Sequence, residues 1–275
     1  MSEIDLRAAI NAVSDVVQNR PQAIREFDQI YMKTGDMILQ SEFISRWAAG
    51  KRVAFVGDGD AISSSVAYLA HIGILDSAPS QITVFDFDER IVNGINQFAE
   101  SAGIGHLSAV LYNVFDELPT VAAFDAFYTN PPWGASNRGT SVKLFVERGF
   151  ELVGYDGKGV VVLADDQNLE WPRKVLHAVE SHALENGFFI SRMSPQLHSY
   201  HLDDAPDLKS CNLVLDALPG NAREVDSRPR LVSDYEHFYG NGHPLNVRFI
   251  RQNPGSDPRR AANSEYHFEY LDGST

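Results

Sequence analysis

Apolar residues in the central part of the chain occur in short runs that alternate with segments of helical periodicity. The runs 51–56, 81–86, 108–112, 124–129 and 159–164 predict five strands, since each is short and bounded by glycine or polar residues. Strands alternating with helices predict an α/β fold, with a parallel sheet and helices on both faces. Beyond it we expect a helix over 171–186, an irregular segment or strand over 187–193, a strand over 212–217, and a final antiparallel strand over 246–250.

Both ends of the chain differ from this pattern. Residues 2–48 predict helices: one before the break at Asn19-Arg20-Pro21, one around Phe27 and Tyr31, and one from Ile38 to Trp47. We therefore expect an N-terminal helical cap over 1–49 that covers the ligand site, or serves as a packing extension or homodimer contact. The catalytic domain is expected over 50–251. The polar segment 252–275 is expected to be a tail that is mobile or wraps a partner.

Composition narrows the class of partner. The 275 residues carry a net charge of −14, with 44% hydrophobic and 22% charged residues, as in a globular enzyme. The nearest candidate for a basic stripe, Arg223, Arg228 and Arg230, is interrupted by acids, so a nucleic-acid substrate is not expected. An acidic surface favours a small cationic amine or a peptide acceptor.

The chain also carries few signs of an oxidising or membrane environment. Cys211 is the only cysteine, so neither an internal disulfide nor a cysteine-rich metal site is expected. No basic and apolar leader is recognisable at the N-terminus, and no apolar stretch approaches the length of a membrane helix. We expect a cytoplasmic protein with no membrane partner.

The most specific motif is Asn130-Pro131-Pro132-Trp133, directly after the predicted strand 124–129. Ligands bind at the carboxyl ends of strands in open α/β sheets. The Asn130 side-chain carbonyl and the Pro131 carbonyl are two acceptors of nearly fixed geometry, and Trp133 adds a flat aromatic face. These groups suit an amino nitrogen that becomes positively charged during alkylation. A plain Pro-Pro turn is the alternative.

The strand 51–56 runs into Gly57-Asp58-Gly59-Asp60 and then into a helix. This geometry brings a nucleotide-like ligand against the backbone, although Ile62 stands where a third glycine would complete the dinucleotide fingerprint. Asp58 and Asp60 would repel a pyrophosphate. A sulfonium nucleoside such as S-adenosylmethionine fits better, with its ammonium on these two acids and its carboxylate balanced by a backbone amide or Arg52. A tight turn with solvated acids is the alternative.

The next two strands end in further candidate ligands. Asp86 ends its strand and is expected to accept hydrogen bonds from both ribose hydroxyls; Asp88 is assigned to the cofactor site too, or else caps the next helix. Asn113 is expected to hold the adenine amino group, with Val114 and Phe115 against the ring. The alternative for Asn113 is a polar strand terminus.

Other segments are expected near the acceptor. Asp165 and Asp166 end the fifth strand, where a carboxylate could bind a cationic acceptor or take its proton, or serve as a helix cap. The loop 134–141 either closes over the acceptor or is a plain connector. His198 and His201 lack a third ligand at a defined spacing, so no metal site is expected.

The order of glycine turn, strand-end acid, strand-end polar residue and Asn130-Pro131-Pro132-Trp133 resembles class I S-adenosylmethionine-dependent methyltransferases. Within that class the Asn-Pro-Pro-aromatic motif is similar to that of enzymes that methylate adenine, cytosine or glutamine nitrogens. The resemblance implies a Rossmann-like methyltransferase sheet.

A second resemblance covers more of the chain, about residues 50 to 216. The segments 56–60, 85–90, 124–132 and 210–215 are similar to those of the branched-chain polyamine synthases, the N4-bis(aminopropyl)spermidine synthase family. That family implies decarboxylated S-adenosylmethionine as the donor. It reads Asp-Pro-Pro-Glu where this chain has Asn130 and Trp133, so two carboxylates expected to grip and deprotonate the polyamine are absent. We therefore predict N-methyl transfer first and aminopropyl transfer second; a non-catalytic nucleoside-binding protein is a third hypothesis.

Overall fold

A computed structural model describes residues 4–239, 247–257, 259 and 265–271. Seven strands form one sheet, and its first five members lie where the hydrophobic runs predict them. The strands are β1 (Arg52–Val56), β2 (Gln81–Asp86), β3 (Leu107–Leu111), β4 (Ala126–Thr129), β5 (Lys158–Asp165), β6 (Phe188–Ser199) and β7 (Lys209–Ala217). The helices are α1 (Leu6–Asn19), α2 (Thr34–Trp47), α3 (Ile62–His71), α4 (Glu89–Ala102), α5 (Thr140–Leu152) and α6 (Glu170–Glu185).

The strand order is β3-β2-β1-β4-β5-β7-β6, and β1 to β5 are parallel. β7 is antiparallel to both of its neighbours. The chain moves outward from β1 to β3 and then returns to pair β4 with β1. The crevice beyond the carboxyl ends of β1 and β4 is the switch point at which such sheets bind ligands.

The core lies in two layers, one on each face of the sheet. Val53 and Phe55 of β1 belong to one apolar cluster, whereas Ala54 and Val56 belong to the other. This alternation follows from the two-residue period of a strand. Helices cover both faces, and the predicted α/β class is therefore confirmed. Among the described residues, no helix is long and apolar enough to cross a membrane.

The N-terminal segment contains two helices rather than three. The predicted helix around Phe27 and Tyr31 is a single 3-10 turn, Arg25–Phe27, and Asp28 ends it in the left-handed conformation with φ 55°. The chain then continues extended: Lys33 N–H donates to the Ser199 carbonyl and His201 N–H donates to the Tyr31 carbonyl. These long-range backbone hydrogen bonds override the local helical spacing.

Two expectations about the C-terminal part differ from the structure. The predicted final strand does not join the main sheet: β8 (Val247–Gln252) pairs antiparallel with β9 (Tyr266–Tyr270) in a separate two-stranded sheet. Asn246, its predicted first residue, lies outside the described residues. The antiparallel member of the main sheet is instead β7. Tyr266–Tyr270 is also part of the segment predicted to be a polar tail, and its aromatic rings pack on the core.

Candidate active site

The glycine turn after β1 brings two buried acids to the switch point, in different roles. The Asp58 carboxylate accepts from the N–H groups of Ile62 at 2.9 Å and Ser63 at 3.0 Å, and so caps α3. Burial raises the pKa of Asp58 well above its usual value, against the effect of these hydrogen bonds. Asp58 lines the crevice at the switch point, but its carboxylate is already bound to the first N–H groups of the helix.

Asp60, unlike Asp58, binds groups outside the helix. Its carboxylate accepts from Met32 N–H at 2.6 Å and from Asn130 Nδ2 at 2.6 Å. Burial raises its pKa, and these hydrogen bonds together with the nearby Arg20 guanidinium oppose the rise. Asp60 therefore joins the N-terminal segment, the glycine turn and the Pro-Pro motif.

Asp86 lies at the carboxyl end of β2, as the hydrophobic pattern predicts, and lines the same crevice. One of its oxygens accepts from Asp58 N–H at 3.0 Å and the other from Asp88 N–H at 2.9 Å. Each carboxylate oxygen retains a further acceptor position. Burial, with a smaller contribution from the neighbouring charge of Asp88, raises the pKa of Asp86 to about 7.

Asp88 is not brought to the crevice, which corrects its assignment to the cofactor. It is fully buried, caps α4 through Arg90 N–H at 3.0 Å, and forms a two-point ion pair with the Arg90 guanidinium, the shorter contact being 2.6 Å. Gln29 Nε2 donates to it at 2.9 Å. The alternative role of helix cap is the one that the structure shows.

The residues predicted to hold adenine are only partly in place. Asn113 and Val114 line the crevice. However, Asn113 Nδ2 donates to the Arg248 carbonyl at 2.6 Å and its Oδ1 accepts from Phe115 N–H at 2.9 Å, so this side chain ties the loop after β3 to β8. Phe115 packs in the core against Phe238 instead of lining the crevice.

The Pro-Pro motif stands at the end of β4, as predicted, and the polar side-chain atoms of Asn130 and Trp133 are already hydrogen-bonded within the protein. Trp133 Nε1 donates to Asn130 Oδ1 at 3.3 Å. Asn130 Nδ2 donates to Asp60 and also approaches the Tyr200 hydroxyl at 3.4 Å. The rings of Trp133 and Tyr200 meet edge to face with centroids 5.0 Å apart. Pro131 lines the part of the crevice next to Trp133.

Three charged residues assigned to the site lie elsewhere. Asp165 accepts from Gln196 N–H at 2.8 Å, and Asp166 accepts from Asn168 N–H at 2.7 Å; neither borders the crevice. Arg52 is the first residue of β1 and lies at the amino end of the strands, opposite to the crevice, where it pairs with Asp125 at 2.8 Å. Arg52 therefore cannot balance a cofactor carboxylate. Asp165 therefore contacts β6, and Asp166 contacts the turn that follows it, in place of the predicted contact with the acceptor.

The two histidines of this segment differ in their surroundings, since His198 is buried and His201 is exposed. His198 Nδ1 lies 2.9 Å from the buried Ser210 hydroxyl, and burial lowers the pKa of His198 to about 4. The described part of the chain contains no group of three or more potential metal ligands. Gly134 and Ala135 of the loop 134–141 border the same part of the crevice as Trp133.

The crevice consists of two adjoining chambers. The inner chamber, about 70 Å³, lies over the glycine turn and Asp86; the outer chamber, about 310 Å³, lies over the Pro-Pro motif and is walled by Trp133, Trp171 and Tyr200. Both chambers share four residues: Asp28, Ile30, Asn130 and Pro132.

The lining of the inner chamber is acidic. Four aspartates contribute to it, and among the described residues no lysine, arginine or histidine does; the aspartates are Asp28, Asp58, Asp60 and Asp86. Asp28 was not expected from the sequence. Phe27, Ile30 and Tyr31 of the N-terminal segment complete the wall, consistent with a cap over the ligand site.

Several known proteins are similar in sequence to this chain. Residues 8–235 match the family model described as the branched-chain polyamine synthase A C-terminal domain. The N(4)-bis(aminopropyl)spermidine synthase of Thermus thermophilus is 28% identical over 187 residues, covering 66% of this chain and 50% of that protein. Its Methanocaldococcus jannaschii counterpart is 28% identical over 143 residues, covering 50% of this chain and 38% of that protein. The chain thus spans half or less of the length of these relatives.

Solved structures show the same fold. The branched-chain polyamine synthase of Thermus thermophilus, in complex with N4-aminopropylspermidine and 5'-methylthioadenosine, superposes with a TM-score of 0.67 at 23% identity, over 81% of this chain and 67% of that one. PH1948 of Pyrococcus horikoshii, a candidate RNA methyltransferase, gives a TM-score of 0.57 at 13% identity, over 78% of this chain and all of that one. The predicted Rossmann-like methyltransferase fold is therefore confirmed.

Proposed function

The chain belongs to the branched-chain polyamine synthase A C-terminal domain family, and from this premise we propose that it transfers an aminopropyl group from decarboxylated S-adenosylmethionine to a polyamine nitrogen. Taken alone, the Pro-Pro motif favours N-methyl transfer over aminopropyl transfer. The family and the charge of the inner chamber favour the second of the two predicted chemistries.

The acidic inner chamber is the observation that carries this proposal. S-adenosylmethionine bears a carboxylate on its amino-acid arm, whereas the decarboxylated form bears only an ammonium there. Four aspartates and no basic side chain among the described residues line the chamber. A donor carboxylate would lie among acid groups with no basic side chain in the described lining to pair with it, and burying an unpaired charge is costly. The decarboxylated arm meets acceptors only.

Each part of the donor has a matching group in this chamber. The free acceptor positions of Asp86 suit the ribose hydroxyls, since a carboxylate forms charge-assisted hydrogen bonds with them. Val114 and Tyr112 offer apolar surface to the adenine. Asp60, at the end nearest Asn130, places negative charge close to the cationic sulfur and the aminopropyl ammonium.

The outer chamber suits the acceptor. Its walls combine indole and phenol rings with the aliphatic side chains of Leu202 and Leu208, and Asp28 and Asp204 supply the acids. Methylene groups pack on the apolar walls while ammonium groups meet carboxylates or aromatic faces. A small aliphatic polyamine has this alternating character, and a large planar base does not.

The reaction itself is an in-line displacement at the carbon attached to sulfur. The amine lone pair forms the new N–C bond, the C–S bond breaks, and its electron pair leaves with the thioether, 5'-methylthioadenosine. Holding the two reactants in adjoining chambers supplies most of the catalysis, because positioning contributes about 7–11 kcal/mol in favourable cases.

Turnover assays with two donors and several acceptors test the proposal. We expect methylthioadenosine and an aminopropylated product from decarboxylated S-adenosylmethionine with spermidine or a related polyamine. We expect neither methylated product nor S-adenosylhomocysteine from S-adenosylmethionine with adenine, peptide or polyamine acceptors. Methyl transfer to any of these acceptors, without aminopropyl transfer, would overturn the proposal. Binding of methylthioadenosine without turnover of either donor would instead favour a non-catalytic nucleoside-binding protein.

A further inference from the structure

Asp28 lies where the inner and outer chambers meet, and its neighbours hold it there. Phe27 packs against the rings of Phe87, Tyr239 and Phe268. Gln29 accepts from Ile24 N–H at 2.8 Å and donates to the buried Asp88 at 2.9 Å. The backbone at Asp28 is therefore anchored on both sides. Asp28 itself adopts a left-handed conformation, which aspartate tolerates.

Within the part of the chain that the structure describes, the carboxylate of Asp28 has no hydrogen-bond or ion-pair partner, although it is partly buried. The other acids near the junction are engaged: Asp58 caps α3, Asp60 accepts from Met32 and Asn130, and Asp204 pairs with Arg25 at 3.4 Å on the exposed rim. A partly buried carboxylate that faces two chambers without a donor is suited to receive one from a ligand.

The electrostatic setting keeps this carboxyl group titratable near neutral pH. Burial raises the pKa of Asp28 to about 6, and the positive charge of Arg25 opposes the rise. Tyr239 lines the same chamber and interacts with Asp28, and burial raises the pKa of Tyr239 well above the usual value, so that it stays neutral. The acids Asp58, Asp60 and Asp86 line this chamber too. A base with a pKa near the working pH is the most effective kind.

We propose that Asp28 binds the attacking ammonium of the acceptor and takes its proton. This inference rests on the proposed function and supplies the carboxylate that Asn130 and Trp133 do not. One N–H bond of the ammonium breaks and the proton passes to a carboxylate oxygen of Asp28. The freed lone pair attacks the carbon on sulfur, and the C–S electron pair leaves with methylthioadenosine. Asp28 then returns the proton to water.

The variant Asp28→Asn tests the proposal because it keeps the size and tolerates the left-handed backbone. Asp203→Asn is the matched control: it removes the same charge from an exposed residue that borders neither chamber. We expect kcat with spermidine to fall about 100-fold or more in Asp28→Asn, as for loss of a general base, and to stay unchanged in Asp203→Asn. Methylthioadenosine affinity should be the same in all three proteins.

Two further readouts separate this inference from the proposed function. The rise of kcat/KM with pH through about 6 should vanish in Asp28→Asn. Spermidine binding, measured by calorimetry with methylthioadenosine present, should weaken about 10-fold, equivalent to one lost charge-assisted contact.

If the wild-type protein turns over and Asp28→Asn keeps its rate, pH profile and spermidine affinity, the inference is wrong while the function stands. If spermidine binding depends on Asp28 but no donor is turned over, the function is wrong and only the binding role of Asp28 remains. Absence of spermidine binding and turnover in the wild type would overturn both.

Discussion

The indole N–H of Trp133 donates to the side-chain oxygen of Asn130 at 3.3 Å, and this contact orients the Asn130 amide. With Oδ1 facing the indole, Nδ2 points to Asp60 at 2.6 Å. The reverse orientation would bring two donors, Nδ2 and the indole N–H, against each other. Trp133 therefore acts through Asn130 on Asp60 and, in this account, positions the acid nearest the reacting sulfur.

The variant Trp133→Phe tests this arrangement. It retains an aromatic wall but removes the N–H, so the Asn130 amide loses one orienting hydrogen bond. We expect kcat to fall about 2- to 12-fold, corresponding to roughly 0.5–1.5 kcal/mol for one hydrogen bond, with methylthioadenosine affinity unchanged. Steady-state kinetics check this. The control is Trp47→Phe, since the buried Trp47 N–H has no hydrogen-bond partner in the described structure. Equal rates in Trp133→Phe and wild type would contradict the orienting role.

The variant Asp86→Ala tests the ribose assignment. Loss of a charge-assisted contact should weaken methylthioadenosine binding by about 1.5–3 kcal/mol, or roughly 10- to 150-fold. Calorimetry measures the affinity, and circular dichroism checks the fold, because Asp86 also accepts from two backbone N–H groups. Asp125→Ala removes a carboxylate from the opposite edge of the sheet and should leave the affinity unchanged. A folded Asp86→Ala protein with wild-type affinity would refute the assignment.

The raised pKa of Asp86 also predicts a pH dependence of stability. Its pKa is about 7 in the folded protein and near 3.8 when exposed, so the folded state retains a proton that the unfolded state releases. The contribution of Asp86 to the free energy of unfolding is therefore fully present below the lower value and is lost as pH rises through about 7. Denaturant titrations between pH 5 and 8, about the range in which stability is otherwise greatest, compare wild type with Asp86→Ala. The difference in the free energy of unfolding, wild type minus variant, should decrease as pH rises across this range. A constant difference would contradict the shifted pKa of Asp86.

Local patterns were sufficient to predict the strands that end at the crevice. The runs ending at Val56, Asp86 and Thr129 predict strand ends, because buried parallel strands are short and apolar, and the sheet then brings their carboxyl ends together. The same reasoning predicts that Asp86 and Asn130 lie at this end of the strands, and both line the crevice.

What sequence patterns miss depends on distant partners. Asp28 reaches the crevice because the chain after Phe27 pairs with residues near 200, so no local spacing indicates its role. Asp165 ends a strand at the predicted edge, yet it is bound by Gln196 from the neighbouring part of the sheet. β8 finds its partner β9 across a polar segment, which periodicity does not connect.

The central claim is that the inner chamber selects a donor without a carboxylate. Its most direct test is the affinity of the wild-type protein for S-adenosylmethionine and for its decarboxylated form, measured side by side by calorimetry under identical conditions. The account predicts that the decarboxylated form binds at least about 10-fold more tightly, a difference of about 1.4 kcal/mol or more. Equal affinity, or tighter binding of S-adenosylmethionine, would contradict it and return N-methyl transfer to first place.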